Sequence, residues 1–394
     1  MAHHDFLVIG AGIFGITTAL ALRERGHAVG ILNPGSIPHP LAASTDISKV
    51  VRMEYGTDVE YHAMAGASIE KWKSWNLCYG ETLYHEVGYL LLSAKPIAEH
   101  AGTYESTSFF CDVQAGFHPE RLSVAERAAR FPAFAHEHYP GACFHAVGGY
   151  AESGRAVEVL TQWARKQGVS VYAGQTADTI EMQSGAATGV VTREGRHFSA
   201  GHVIVCAGNG TPYLLPELQS VMQVTGHPVF HLKPADPTMF VADRFPVFAA
   251  DIANTGWYGF PLHPTEGVVK IANHGAGLVL HPELDPREVY DSDIAALRTF
   301  LSTAIPTLAD APVVYTRRCC YTDTRDGHFW IDNHPEISGL TVGSGGSGHG
   351  FKMGPIIGEM IAEVALGQDH PYSKRYRWRS FSSGASVEEQ ARNL

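Results

Sequence analysis

A few short stretches of this chain carry residues that could do chemistry. Near the N-terminus, Gly10-Ala11-Gly12-Ile13-Phe14-Gly15 follows the apolar run Phe6-Leu7-Val8-Ile9. Glycines so spaced allow a tight turn at Gly10, approach of a pyrophosphate at Gly12, and close helix–strand packing at Gly15. Far along the chain, Arg317-Arg318-Cys319-Cys320 precedes Tyr321-Thr322. Strand alternation turns Cys319 and Cys320 to opposite faces, and arginines pointing inward would favour a thiolate. Lys270 interrupts the apolar run Val268-Val269-Lys270-Ile271-Ala272. A buried ammonium is costly unless it has a partner or a task. His274, four residues on, shares its face if the strand continues. Lastly, Gly343-Ser344-Gly345-Gly346-Ser347-Gly348-His349-Gly350 runs towards a helical pattern over 355–361. A helix start carries partial positive charge, and glycines let an anionic edge come close to it.

Particular elements must hold these residues in place. Strand 6–9, the glycine turn, a helical pattern over 16–25 stopped by Gly26, and a second strand over 28–32 form one unit. That unit predicts an α/β fold with a Rossmann-like dinucleotide-binding domain. The glycine motif alone fits a nicotinamide or a flavin dinucleotide. The acidic residue that ordinarily ends the second strand and binds the ribose is Asn33 here, whose amide makes only a neutral hydrogen bond. Helical patterns also run over 60–83, 121–132 and 156–168. Strands are expected at 87–92, 169–172, 203–206, 228–232 and 257–260, with a small β-meander around 186–198. Cys206 lies in an apolar run and reads as a packed thiol.

Bulk properties exclude several classes. The chain has 394 residues, 45% hydrophobic and 18% charged, enough for one large or two ordinary domains. Its net charge of −11 and pI near 6.0 argue against nucleic acid and anionic membranes as partners. No apolar run is as long as a membrane span, and the N-terminus shows no signal-peptide pattern. Six cysteines without a CxxC pair predict neither a disulfide framework nor zinc. The 22 histidines are scattered and show no metal-binding spacing, so no metal is expected. A reducing, cytoplasmic location fits this composition, and Arg392-Asn393-Leu394 is not the Ser-Lys-Leu peroxisomal signal.

Taken together, the glycine turn, Ser44-Thr45-Asp46 followed by Lys49-Val50-Val51-Arg52, Gly148-Gly149-Tyr150, Trp257-Tyr258-Gly259-Phe260-Pro261, Lys270 and the Cys319 and Gly345 stretches carry a likeness. The chain resembles the FAD-dependent amine oxidases of the monomeric sarcosine oxidase and fructosyl-amino-acid oxidase type, along nearly its whole length. Lys49 stands where sarcosine oxidases have an arginine, and Ser44-Thr45-Asp46 lacks the histidine they carry in that loop. The resemblance implies FAD bound by Gly10, Gly12, Ile13, Gly15, Asn33, Ser44, Lys49, Gly345, Gly348, His349, Gly350 and Lys352, and attached covalently through Cys319. It implies a substrate carboxylate on Arg52 and Lys352, with Tyr258 and His274 beside it. An arginine offers two parallel donors and a lysine a point charge, which suits a carboxylate. Lys270 is implied to activate oxygen, since a fixed cation stabilises superoxide.

The implied activity is oxidation of a secondary amine on an N-substituted amino acid, with O₂ as the other small-molecule partner and a monomeric enzyme. The substrate could be N-methylated, fructosylated or cyclic; Lys49 tilts the reading towards a bulkier N-substituent. A dehydrogenase using another acceptor, and a flavin-binding protein without amine chemistry, stay open as alternatives. The expected FAD-binding domain is discontinuous, 1–80, 145–215 and 325–380. A sheet-rich substrate domain is expected from 81–144 and 216–324, and a polar tail over 381–394.

Overall fold

The computed structural model describes residues 3–381; apart from Phe381, the expected polar tail lies outside the described residues. Its first sheet has eight strands. Five run parallel, in the spatial order Ser170–Ala173, Val29–Asn33, His4–Ile9, His197–Val205, Leu340–Ser344. Trp330–Asn333 adds an antiparallel edge beside the last of these, and Ala177–Gln183 with Ala186–Thr192 extends the sheet as antiparallel strands. The N-terminal strand sits centrally, between the second strand of the chain and a strand almost 200 residues later. That is the place where a doubly wound sheet reverses direction and leaves a crevice at its strand ends.

The first helix, Ile13–Glu24, begins three residues before the expected start. The glycine turn caps it directly, with Gly12 as N-cap. It is apolar almost all round because it is covered on several sides. Helix Gly354–Ala365 packs along it so closely that a Cβ on Gly358 would lie 2.3 Å from Thr17 Oγ1. Gly26, at φ +91°, ends the chain's turn after this helix, as Gly C-caps do. Ile16, Leu22, Ile357 and Ile361 are fully buried in the same cluster. Each such side chain contributes about 1.5–3 kcal/mol of burial.

The second sheet has nine strands. Its neighbours run Leu278–Val279, Met222–Leu232, Val269–Asn273, Trp257–Leu262, Val247–Ala250, Tyr89–Ser93, Gly141–His145, Glu120–Arg121, and Val313–Thr324 lies on Met222–Leu232. Only Val247–Ala250 and Tyr89–Ser93 pair in parallel. One face is packed by Phe230, Phe240, Phe245 and Phe248 with the helix Asp291–Ala304. In a small third sheet Gly149–Ala151 pairs antiparallel with Lys49–Val51 on one side and Tyr84–His85 on the other. No helix among the described residues is long and apolar enough to cross a membrane.

Candidate functional site

The larger of two adjoining cavities, about 680 Å³, opens at the C-terminal ends of the parallel strands. Ile9 and Gly10, Leu32 and Asn33, Cys206 and Ala207, and Gly343 and Ser344 all line it. Two positions of the turn that enters it admit no side chain. A Cβ on Gly10, at φ +103°, would meet Cys206 O at 2.4 Å, and one on Gly15 would meet Gly10 O at 1.9 Å. Ser44 closes the turn from the far side, its Oγ accepting a hydrogen bond from Ile13 N at 3.0 Å. A backbone cradle of this kind at a helix N-terminus suits a pyrophosphate.

Gly10, Gly12, Ile13, Asn33, Ser44, Lys49, Gly345, Gly348 and Gly350 therefore all line one cavity. Gly15 does not; it is the packing residue that lets the turn close. Asn33 differs from the expectation of a ribose ligand. Its Oδ1 accepts from Ala11 N, and its Nδ2 donates to Gly35 O and Ser36 O, so both amide hydrogens are committed to the loop. Gln175 and Asp178, on the neighbouring chain segment, also line that cavity and were not singled out from the sequence. An Arg193–Glu283 ion pair of 3.0 Å involves two further lining residues, which join chain segments far apart.

The smaller cavity, about 60 Å³, is lined by Arg52, Lys352, Tyr258 and His274, the four residues expected around a substrate. Lys49, Tyr321, Gly348 and Phe351 line both cavities and mark their junction. Gly348, at φ +75°, leaves room there: a Cβ would meet Tyr321 at 2.6 Å and His274 at 2.7 Å. His349 lines the smaller cavity and not the larger one, a correction to its expected place beside the dinucleotide. Its ring contacts Tyr55 OH at 3.0 Å and Gly327 O at 3.0 Å, which fixes it as part of the wall.

Arg52 is only 5% exposed, and among the described residues its buried Nη1 has no hydrogen-bond partner. Its guanidinium lies over Tyr55 at 4.9 Å, Tyr104 at 5.8 Å and Tyr89 at 5.9 Å. Burial works against its charge, but Tyr104, Tyr89, Tyr55 and Glu54 hold its pKa above the ordinary arginine value. Lys352 is equally buried and donates to Tyr55 OH at 2.8 Å and His349 O at 2.9 Å. Tyr55 thus touches both cations. It could have been suspected from its place three residues after Arg52; Tyr89 and Tyr104 gave no such signal.

Cys319 is fully buried on the face of its strand shared with Tyr321, beside Val229 and Ala272. Cys320 turns the other way, to Val224 and Leu280, as alternation requires. Cys319 lines neither cavity; Lys49 Nζ lies 3.4 Å from its sulfur. Arg317 points inward on the same side, donating to Thr45 O and Ala42 O.

Lys270 also departs from expectation. It is 2% exposed and lines neither cavity. Its ammonium donates to Asp46 Oδ2 at 2.8 Å and to Ser48 O at 2.5 Å. Burial works against the Asp46 charge, yet Lys270, His231, Lys49 and Arg317 hold its carboxyl well below the usual range. Burial pulls Lys270 down to about 8, with Asp46 opposing the shift. The cost of burying this lysine is met by a partner rather than by contact with the cavity.

Behind Arg52 lies a second buried group of charges. His145 Nδ1 meets Glu54 Oε1 at 2.9 Å and Asp112 Oδ2 at 3.4 Å, and His62 Nε2 meets Asp112 Oδ1 at 2.8 Å. Glu54, Asp112 and His145 bring ligand atoms within 4.8 Å of one another. Their mutual hydrogen bonds account for that closeness. Burial, then Glu54, raises Asp112 to about 6. Burial opposes the charged form of His145, but Glu54 and Asp112 leave its pKa raised.

A family model described as FAD dependent oxidoreductase matches residues 5–364. Mouse peroxisomal sarcosine oxidase is 29% identical over 370 residues, 92% of each chain. L-saccharopine oxidase of Schizosaccharomyces pombe is 27% identical over 414 residues, 95% of this chain and 92% of that one. Among solved structures, Amadoriase I of Aspergillus fumigatus, a fructosyl amine:oxygen oxidoreductase, superposes with a TM-score of 0.82 at 24% identity, covering 96% of this chain and 90% of its own.

Proposed function

Because the chain belongs to the FAD dependent oxidoreductase family, we propose that it is an amine oxidase acting on an N-substituted amino acid. FAD supplies, when bound, the acceptor for a hydride from the carbon beside the substrate nitrogen and the route for its electrons to O₂, which leaves as H₂O₂. The larger cavity holds the dinucleotide. Its glycine turn and the N-terminus of Ile13–Glu24 receive the pyrophosphate, and Ser44 keeps the turn in shape.

The smaller cavity holds the substrate, and one observation carries that reading. Arg52 presents a buried guanidinium nitrogen that has no partner among the described residues. Desolvating such a donor without an acceptor is unfavourable, and a carboxylate in the cavity would satisfy it. Lys352 adds the second charge, and Tyr55 holds its ammonium in place. Tyr258 and His274 shape the remaining wall. The amine binds neutral, so no general base is assigned, and the imine product is hydrolysed by water. The narrowness of the cavity favours a compact N-substituent, N-methyl over fructosyl, against the tilt drawn from Lys49 alone. Cys319 would be the residue that holds the flavin covalently, through a thioether; Lys49 Nζ lies 3.4 Å from its sulfur, and Arg317 points inward on the same side of the strand.

Anaerobic titration of the yellow protein tests this. N-methyl amino acids should bleach the flavin spectrum, fructosyl amino acids less readily, and the same amines without a carboxylate hardly at all. Equal bleaching by amines lacking the carboxylate would refute the Arg52 assignment. Acid denaturation should leave the flavin on the chain, and its full release would refute the bond to Cys319.

A further inference from the structure

The smaller cavity has two ends. At one, Arg52 lies over Tyr55, Tyr89 and Tyr104; at the other, Tyr321 and Gly348 face the dinucleotide cavity, with His274 beside them. Ile252 also lines this cavity. It is 5% exposed and packs in the same apolar cluster as Tyr89 and Tyr104, which places it at the Arg52 end.

Ile252 opens a single helical turn, Ile252–Thr255, that is tied down on every side. Asp251 before it lies in the left-handed region at φ +51°, which a residue with a side chain keeps only where its surroundings fix it. Asp251 N donates to Leu92 O at 2.7 Å on the neighbouring strand. Asn254 Nδ2 donates to Asp251 Oδ1 at 3.0 Å, and Thr255 Oγ1 donates to Ala250 O at 2.6 Å. Gly256 closes the turn at φ +74°. Its N–H donates to Ile252 O at 2.8 Å, and its carbonyl accepts from His274 N at 2.7 Å. Main-chain bonds thus connect two cavity residues, Ile252 and His274. A side chain packed and anchored in this way resists displacement by a ligand.

The room left beside it is small. A cavity of about 60 Å³ takes roughly four to six groups of water size. N-methylglycine fills that space with its own atoms. With the carboxylate on Arg52 and Lys352, the order of bonds assigns the ends. The α-carbon is attached to the carboxylate, so its side chain emerges at the Arg52 end, against Ile252 and Tyr89. The nitrogen substituent lies one bond farther on, towards His274 and Tyr321.

We propose that Ile252 is the specificity-determining residue for the α-carbon: it admits a hydrogen or a methyl group there and excludes a longer or branched side chain. The inference rests on the amine-oxidase reading and narrows its substrate to N-alkyl derivatives of the smallest amino acids.

The test measures the second-order rate of anaerobic flavin reduction by N-methylglycine, N-methyl-L-leucine and N-ethylglycine. A ratio between substrates is not moved by a general loss of folded protein. The parent should be reduced by N-methylglycine at least about 100-fold faster than by N-methyl-L-leucine. Ile252→Ala should raise the rate with N-methyl-L-leucine relative to N-methylglycine by about 50-fold, and Ile252→Val by about fivefold. The valine variant keeps the β-branch and most of the packing, so it gives the answer if the alanine variant does not fold. N-ethylglycine carries its extra carbon on the nitrogen and should gain less than about threefold in either variant. The proposal alone is overturned if the parent is reduced equally by N-methylglycine and N-methyl-L-leucine, if the ratio is unchanged in the variants that fold, or if N-ethylglycine gains as much as the leucine derivative. A parent bleached by no N-alkyl amino acid would overturn the amine-oxidase reading and this proposal with it.

Discussion

The two cavities meet at Lys49, Tyr321, Gly348 and Phe351 but are built on opposite plans. The larger is a backbone site. Its shape comes from strand ends and from glycines at which a side chain would collide with main chain. The smaller is a side-chain site. Two buried cations, a cage of tyrosines and a fixed histidine ring come from segments spread along the chain. A pyrophosphate common to many enzymes can be recognised by backbone geometry, which tolerates drift elsewhere. A particular substrate needs charge placed and left unsatisfied, and that state is stable only where surrounding residues enforce it.

The sharpest way to break this contrast is at the turn. Gly15→Ala puts a methyl 1.9 Å from Gly10 O, so the glycine turn cannot close. The protein should lose its flavin, read as the ratio of 450 to 280 nm absorbance. Arg52→Met should leave flavin content intact and lower kcat/KM for the carboxylated substrate by about 10³-fold. Arg52→Lys should recover only part of that, because a point charge replaces a fork. A smaller effect is expected from Tyr55→Phe, which removes one of the acceptors of Lys352 Nζ and leaves His349 O. A rise in KM of about tenfold, with kcat little changed, would fit loss of one charge-assisted hydrogen bond.

The mildest effect concerns pH and belongs to the smaller cavity's surroundings alone. Asp112 keeps its proton to about pH 6 in the folded chain, against an ordinary value of 3.8. Between those values the unfolded chain has released a proton the folded one still holds, so raising pH is destabilising there. His145, with its pKa raised, contributes stability at low pH that is lost as pH rises through its folded value. The two act in the same direction. Thermal unfolding midpoints should fall as pH rises from about 4 to beyond the ordinary histidine value of 6.5, and Asp112→Asn should flatten the lower part of that fall.

Local sequence determined the backbone site almost completely. Strand, glycine turn and helix lie within some twenty residues, and sterics alone assign each glycine a task. Even there the helix starts at Ile13 rather than Ile16, because an apolar pattern marks a buried face and not a hydrogen-bonded first turn. Asn33 showed the complementary limit. Its residue type suggested a ligand, but the folded loop had already engaged both of its amide hydrogens.

For the charged residues the sequence determined which were candidates, and only the tertiary structure decided their roles. Arg52, Lys270 and Lys352 are each cations in apolar or glycine-rich surroundings, and nothing local tells them apart. Folding gave Lys270 a carboxylate from 224 residues away, gave Lys352 the hydroxyl of Tyr55, and left Arg52 Nη1 with no partner among the described residues. Whether a buried charge is structural or poised for a ligand depends on which opposite charge lies within a few ångströms, and that distance is set by the fold.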